Sequence, residues 1–507
     1  MKTVTLSALF NALNTTVPEG MMSVAQLPFS RFCLDSRKIG QSDAFVLLES
    51  FGRQGDFERV REYLHSVENK AAFVLSQIDP RLLGINFHLP VAYVPNIRSH
   101  LGELIAVRLQ QQKTAQLPTV VAVTGTNGKT TISQLTAQLA QMAGMPSAIM
   151  GTAGNGRLGS LVQSANTTGD VLMVHEFLYQ MAQESIELVS LEASSHGLHQ
   201  HRLQGVPIKV AIYSNLSRDH LDYHADMNDY AQAKARLFDK NLFPSLTHAI
   251  INLDDDHADI FLNTAKLSGL TVWTYATQNP QADIHASQIT PSLDGVDLTI
   301  NTPQGQMMVR SPLLGMFNVS NLLASVGAAL ALGVSLERLF DGITHLKGAS
   351  GRMERVPSRH GSFIVDYAHT PDALEQVLSG LKKHCTGNLV AVFGCGGDRD
   401  KGKRPLMTQA GLRFADKVIL TADNPRSEQP LAILKDMQTG LMCADHYRIE
   451  IEPDRRLAIE LAVKSAGEQD IVVIAGKGHE TYQEIQGVRH DFDDRVVLRQ
   501  MIDKFDK

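Results

Sequence analysis

The run Thr119-Val-Val-Ala-Val-Thr124, followed by Gly125-Thr-Asn-Gly128 and then by Lys129-Thr-Thr131, constrains this chain more than any other segment. The short β-branched run predicts a buried strand, and the apolar spacing from Lys129 to about Met142 predicts a helix directly after it. The glycines between them permit a tight turn whose backbone N–H groups, with the helix N-terminus, form a cradle for phosphate. In a loop of this kind Lys129 reaches the β- and γ-phosphates of a nucleotide and the Thr130 hydroxyl binds Mg²⁺. The common spacing G-x-x-x-x-G-K-[ST] would put Gly where this chain has Val123, so the loop is a variant built on Gly125 and Gly128.

Short apolar runs at Glu187–Leu191, Lys209–Ser214 and Ala249–Leu253 alternate with helix-like stretches such as Met227–Phe238. Such alternation predicts a mostly parallel sheet with helices on its faces. It returns in the last third, at Phe363–Val365, Leu389–Phe393, Lys417–Leu420 and Ile471–Ile474. Near the N-terminus, Asp43–Leu48 and Ala71–Leu75 mark a smaller α/β unit. At roughly 100–200 residues per domain, a chain of this length holds about three. The expected segments are 1–97, 98–346 and 347–507, with the second boundary just after the helical stretches Leu322–Leu332 and Leu336–Ile343.

Lys and Arg number 47 against 53 Asp and Glu, a net charge of −6. That balance gives no general attraction to nucleic acid or anionic membrane, so an anionic substrate must be held by local basic groups. Cys33, Cys385, Cys395 and Cys443 form no CxxC pair, which argues against a disulfide framework or zinc site and for a reducing compartment. The N-terminus lacks a signal-peptide core, and no apolar stretch approaches the ~20 residues of a membrane helix. A soluble, cytoplasmic, monomeric protein is expected.

Several polar groups sit where a parallel sheet presents its ligands. Glu192 opens Glu192-Ala-Ser-Ser-His-Gly-Leu-His-Gln-His-Arg202 directly after a predicted strand. A carboxylate there, in the same sheet as a phosphate loop, is placed for Mg²⁺. His220, in Asn215-Leu-Ser-Arg-Asp-His-Leu-Asp222, follows the next strand and reads equally as a second metal ligand or a solvent-facing loop histidine. Lys234, in Tyr230-Ala-Gln-Ala-Lys-Ala-Arg-Leu-Phe238, reads on composition as a solvated helix lysine. In the last third, Asp366-Tyr-Ala-His-Thr-Pro-Asp372, Gly394-Cys-Gly-Gly-Asp-Arg-Asp-Lys-Gly-Lys-Arg404, Asp423-Asn-Pro-Arg426 and Gly476-Lys-Gly-His-Glu480 each follow a predicted strand. Ligands of open parallel sheets bind outside those strand ends. Arg399, Arg426 and Lys477 are basic there, while Asp423 and Glu480 are acidic. Mixed signs suit a free amino acid, which carries both an ammonium and a carboxylate that an Arg can grip with two hydrogen bonds.

The loop Gly125-Thr-Asn-Gly-Lys-Thr-Thr131 resembles that of the Mur ligase superfamily, which also includes the folylpolyglutamate synthases. The resemblance extends over essentially the whole chain and implies three α/β domains. These are a small N-terminal UDP-binding domain, a central P-loop ATPase domain with a mostly parallel sheet, and a C-terminal Rossmann-like domain. It implies an ATP-dependent ligase of peptidoglycan precursor synthesis that adds meso-diaminopimelate to the D-Glu side carboxylate of UDP-N-acetylmuramoyl-L-alanyl-D-glutamate, by way of an acyl phosphate.

Residue by residue, the resemblance implies an ATP site of Gly125, Thr126, Asn127, Gly128, Lys129, Thr130 and Thr131. Asn318 in Gly315-Met-Phe-Asn-Val-Ser-Asn321 joins it near the adenine, and Arg352, Asp366 and His369 close over the nucleotide. Lys129, Glu192, His220 and Lys234 are the implied catalytic set. Lys234 is implied to be carbamylated and to hold Mg²⁺ together with Thr130, Glu192 and His220. For the UDP-linked dipeptide the implied contacts are Leu34, Ser36, Asn166, Thr167, Thr168, Ser194, Gln200 and Arg202. For diaminopimelate they are Arg399, Asp423, Asn424, Pro425, Arg426, Gly476 and Glu480, with Arg426 reading the far carboxylate that lysine lacks. Where relatives often have His-Gln-Ala before a Gly, this chain has Phe51-Gly-Arg before Gln54. Three alternatives stand beside this reading: the same chemistry with L-lysine or another amino acid, folylpolyglutamate synthesis, and a nucleotide-gated binding protein without turnover.

Overall fold

The computed structural model describes residues 3–50, 55–84, 88–112, 116–164, 166–443 and 445–507. The Phe51-Gly-Arg segment therefore lies outside the described residues. Within them the strands form sheets of four, eleven, six and two members. The N-terminal sheet is wholly parallel, ordered Phe32–Cys33, Asp43–Leu47, Ala71–Ser76 and Val91–Tyr93.

The central sheet is built around Thr119–Thr124, which lies between Leu188–Glu192 and Ile208–Tyr213, parallel to both. Val120, Val121, Ala122 and Val123 are all inaccessible to solvent. A strand covered on both faces needs no alternation, which is why this one reads as a continuous apolar run. Beyond Ile208–Tyr213 follow His248–Asn252 and Thr271–Ala276, and on the other side Ser147–Gly151, all parallel. The edges are different. Ile284–Ser292, Gly295–Thr302 and Gly305–Ser311 make an antiparallel flank, and Gly154–Arg157 with Ser160–Val162 make another.

Helix Lys129–Met142 lies over one face beside helix Met316–Ala331, and Leu135 and Leu139 share a core with Leu322, Leu323 and Val326. Gly327 lets the second helix sit close to the sheet, since a Cβ there would stand 2.9 Å from Ile284 Cδ1 and 3.0 Å from Ile250 Cγ2. Tyr213, Tyr230, Phe238 and Phe261 fill the opposite face.

The C-terminal sheet runs Glu354–Val356, Ser362–Asp366, Ile471–Ala475, Leu389–Phe393, Lys417–Leu420 and Ile449–Ile451, parallel after its first strand. Its four polar motifs thus leave the carboxyl ends of four neighbouring strands. Two helices begin behind those ends. Asp454 caps Arg455–Ser465 and Asp493 caps Asp494–Lys504, each accepting from a first-turn N–H. Their first residues, Arg455 and Asp494, form a fully buried ion pair, with Nε and Nη2 donating at 2.8 and 2.6 Å. The same guanidinium donates to the carbonyls of Ala422 and Ala475, one residue before Asp423 and Gly476. A buried pair contributes little net stability while whole, but removing one partner leaves an uncompensated charge. Asp494→Ala should therefore destabilise the C-terminal domain by about 3–5 kcal/mol. An unchanged thermal-unfolding midpoint would refute that assignment.

Candidate active site

Gly125 and Gly128 hold φ of 145° and 87°. A side chain at Gly125 would overlap Ser214 Oγ, and one at Gly128 would put Cβ 2.6 Å from Asn321 Oδ1. The turn is sewn to the end of the neighbouring strand. Thr126 N–H donates to Asn215 O at 2.8 Å, Asn127 N–H to Asn215 Oδ1 at 2.9 Å, and Ser214 Oγ to Asn127 O at 2.6 Å. Thr131 is buried at the start of the helix. Lys129 Nζ curls onto its own loop, donating to Gly125 O at 2.9 Å and Thr126 O at 2.8 Å.

Lys234 reaches the same place. Its Nζ donates to Gly125 O at 2.6 Å and stands 4.5 Å from the centre of the Tyr230 ring. The side chain is 1% exposed, not solvated as its composition suggested. Ala231, Ala233 and Ala235 around it are buried too, and small neighbours let this helix sink into the domain. Burial, with repulsion from Lys129, pushes the Lys234 ammonium well below the ordinary lysine range. Burial lowers Lys129 as well, and the nearby Glu192 opposes that shift.

Glu192 is 2% exposed and sits at its strand end as expected. Its Oε1 accepts from Thr130 Oγ1 at 2.9 Å and Thr152 N–H at 2.8 Å, and its Oε2 from Thr152 Oγ1 at 3.1 Å. Thr168 Oγ1 donates to the Glu192 carbonyl and accepts from Ser194 N–H, so the Asn166–Gly169 segment is tied to the same strand end. Thr167 Oγ1 accepts from Thr152 Oγ1. Sequence reasoning missed Thr152, which lies in no motif.

His220 adopts the left-handed conformation, φ 55°, a strain that L residues accept where surroundings hold them. Its Nε2 lies 3.5 Å from Asp219 Oδ2, and burial holds its imidazole down at about 3. Asp219 also faces His369 Nε2 at 4.0 Å, across to the C-terminal domain. Asn127 donates to Asp372, Arg218 pairs with Asp400, and His479 meets Thr152 O, so that domain leans on the phosphate loop at several points. Arg352 lies over the Tyr367 ring at 4.1 Å with one guanidinium nitrogen 3.5 Å from Thr130 Oγ1, and its buried Nε has no hydrogen-bond partner among the described residues. Asp366 accepts the N–H groups of Met353 and Ala368 at 2.7 Å each, bracing the segments that carry Arg352 and His369. Asn318 donates to Leu314 O and lines, with Arg352, a cavity of about 500 Å³.

A second cavity of about 440 Å³ opens between the N-terminal and central sheets. Leu34, Asn166, His196, Gln200 and Arg202 line it, as do Arg98 and Tyr223, which no motif marked. Arg202 is held by Gln200 Oε1 and Thr168 O. Ser36, two residues after Leu34, begins a short 3₁₀ turn, and Ser194 caps the helix Ser195–His199.

In the C-terminal domain the four loops converge. Asn424 donates to Glu480 Oε2 at 2.8 Å, and Gly397 N–H donates to Asn424 O. Gly397 must be small because a side chain would overlap Pro425 O. Asp423 is buried, its Oδ1 lacks a hydrogen-bond partner among the described residues, and Gly476, φ 112°, passes beside it. Arg426, φ 51°, donates to Gly397 O at 2.7 Å and forms no ion pair among the described residues. Arg399 is exposed, donating to Asp398 O.

The matches to known proteins agree with this geometry. The Mur ligase middle domain model matches residues 123–329, and that described as Mur ligase, glutamate ligase domain matches 351–478. A UDP-N-acetylmuramoyl-L-alanyl-D-glutamate–2,6-diaminopimelate ligase from Pseudomonas aeruginosa is 45% identical over 465 residues, 91% of this chain and 92% of that protein. The chain belongs to the Mur ligase family. A solved structure titled as the same ligase is 44% identical, with a TM-score of 0.71 and 99% of each chain covered. A folylpolyglutamate synthase from Mycobacterium tuberculosis shares only the fold, at 17% identity and a TM-score of 0.61, and covers 73% of this chain.

Gly151 faces Glu192 so closely that a Cβ would overlap Oε1 and stand 2.6 Å from Cδ. Gly151→Ala should displace the carboxylate and lower kcat about tenfold or more while the protein stays folded, as small misplacements at active sites do. Unchanged kcat would show that the position of Glu192 is not critical.

Proposed function

We infer that this protein is the ATP-dependent ligase that joins meso-diaminopimelate to the D-Glu side carboxylate of UDP-N-acetylmuramoyl-L-alanyl-D-glutamate. The observation that carries the choice of amino acid is Arg426. This half-buried guanidinium rests on the Gly397 carbonyl and forms no ion pair among the described residues. A second carboxylate on the substrate supplies that partner, and lysine does not. The near-full-length likeness to ligases so named supports the same reading. Segments 1–97, 98–346 and 347–507 act as the units for UDP, ATP and amino acid in a cytoplasmic monomer. Among the described residues no helix is long and apolar enough to cross a membrane.

In this reading the loop Gly125–Thr131 holds the ATP phosphates, with Asn318 and Arg352 on the nucleotide and Asp366 and His369 fixing the closing segment. Leu34, Ser36, Asn166, Thr167, Thr168, Ser194, Gln200 and Arg202 orient the acceptor, whose anionic groups meet Arg202. Its D-Glu carboxylate attacks the γ-phosphorus, ADP leaves, and an acyl phosphate forms. The amine then attacks the acyl carbon, and phosphate leaves as the amide bond forms. Lys129 offsets charge on the migrating phosphoryl group, and the surrounding groups act chiefly by holding the substrates in line.

Among the described residues no three His, Cys, Asp or Glu side chains converge as a metal cage. Mg²⁺ does not need one, since it keeps several waters and takes one or two carboxylates beside substrate phosphates. The Thr130 hydroxyl on Glu192 fits that requirement, with His220 nearby and a carbamate on Lys234 as a further oxygen donor. When bound, Mg²⁺ screens the phosphate charge. Lys234 suits carbamylation because burial favours its neutral amine, which adds to CO₂ with loss of a proton.

Three measurements test the reading. Phosphate release from ATP with the UDP-linked dipeptide should require meso-diaminopimelate and fail with L-lysine. Arg426→Ala should weaken diaminopimelate recognition by about 2–4 kcal/mol. Release with lysine would keep the ligase but sink the specificity. Lys234→Ala should collapse turnover far more than ATP affinity, and near-normal turnover would rule out the carbamate role.

A further inference from the structure

Lys477 has no place in the reading above, yet it occupies the centre of the amino-acid site. Its side chain is 0% exposed. Nζ donates to Glu480 Oε2 at 3.0 Å and Asn424 Oδ1 at 3.2 Å, lies 3.8 Å from Asp423 Oδ1, and stands 5.5 Å from the centre of the Tyr482 ring. Asn424 and Glu480 are fixed in turn by their own hydrogen bond. Behind the cluster, Arg455 and Asp494 pair with each other and offset one another's charge.

Two carboxylates and one ammonium therefore leave one negative charge, and Asp423 Oδ1, without a hydrogen-bond partner among the described residues, faces the same cluster. Buried charge must be balanced or it is costly. Burial and Asp423 push the Glu480 carboxyl up, and Lys477 and Asn424 oppose that shift.

We propose that Lys477 is a positioning residue that trims the Asp423–Glu480 pair to one net negative charge, and so fits the pocket to a substrate bearing one distal ammonium. This rests on the amino-acid-ligase reading and adds a basis for recognition distinct from Arg426. Arg426 reads the distal carboxylate, and the Asp423–Lys477–Glu480 cluster reads the distal ammonium. Lys477 touches no reacting atom. It acts through the two acids, holding Glu480 and Asn424 in place and cancelling one charge.

The test compares meso-diaminopimelate with 2-aminopimelate, the same diacid with its distal amine replaced by hydrogen, as amine substrates in ATP-dependent phosphate release. Wild-type protein should favour diaminopimelate in kcat/KM. Glu480→Gln leaves no net charge in the cluster and should cut that preference about tenfold or more. Lys477→Met combined with Glu480→Gln returns the cluster to one negative charge. It should recover most of the preference, with KM for ATP and for the UDP-linked dipeptide little changed in every variant. A residue that merely fills space would not be rescued by removing a second group. Losses that multiply in the double variant overturn the proposal, as does an unchanged preference in Glu480→Gln, which decides the matter alone if the Lys477 variants fail to fold. Wild-type protein that turns over neither amine overturns the ligase reading and this inference with it.

Discussion

The side-chain nitrogens of two lysines, Lys129 and Lys234, converge on one carbonyl oxygen, that of Gly125. Like charges in a buried place repel, and here the repulsion helps to lower Lys234. Much of the surrounding architecture follows from keeping this arrangement in place. The glycine turn brings the carbonyl within reach of both lysines, and the strand end at Ser214 and Asn215 fixes the turn. The alanine-rich helix lets Lys234 in, and Glu192 supplies a nearby anion. A polyphosphate entering such a site would meet Lys129 already placed.

The C-terminal domain approaches this centre along an interface of modest polar contacts, including Asn127 with Asp372 and His479 with Thr152. Tyr367 stands at the junction, with Arg352 over its ring and His479 beside it. Such contacts are individually weak, so domain closure can be driven by substrates that span the gap.

How far the sequence revealed this differs by element. The phosphate loop was legible because strand, glycines, lysine and helix follow one another locally. Glu192 and the four C-terminal motifs were legible because the carboxyl ends of parallel strands can be read from the chain. Lys234 was marked by family resemblance alone: its burial depends on packing around a helix whose own pattern is bland. Thr152, Arg98 and Tyr223 gave no signal, since only folding brings them to Glu192 or into the cavity between the N-terminal and central sheets. The antiparallel flank from Ile284 to Ser311 escaped because its strands carry polar outer faces and a proline, Pro291, and so lack a strong apolar run. Tertiary context, rather than local preference, decided these elements.

Arg455 grips the strand ends that precede Asp423 and Gly476 from behind, through backbone carbonyls. The anchor's hydrogen bonds to these loops go to main-chain carbonyls, not to the side chains the loops display in front. Descendants of this chain can therefore exchange the displayed residues one at a time and drift toward a new building block, while the scaffold and the phosphate chemistry on the far side of the cleft are inherited intact.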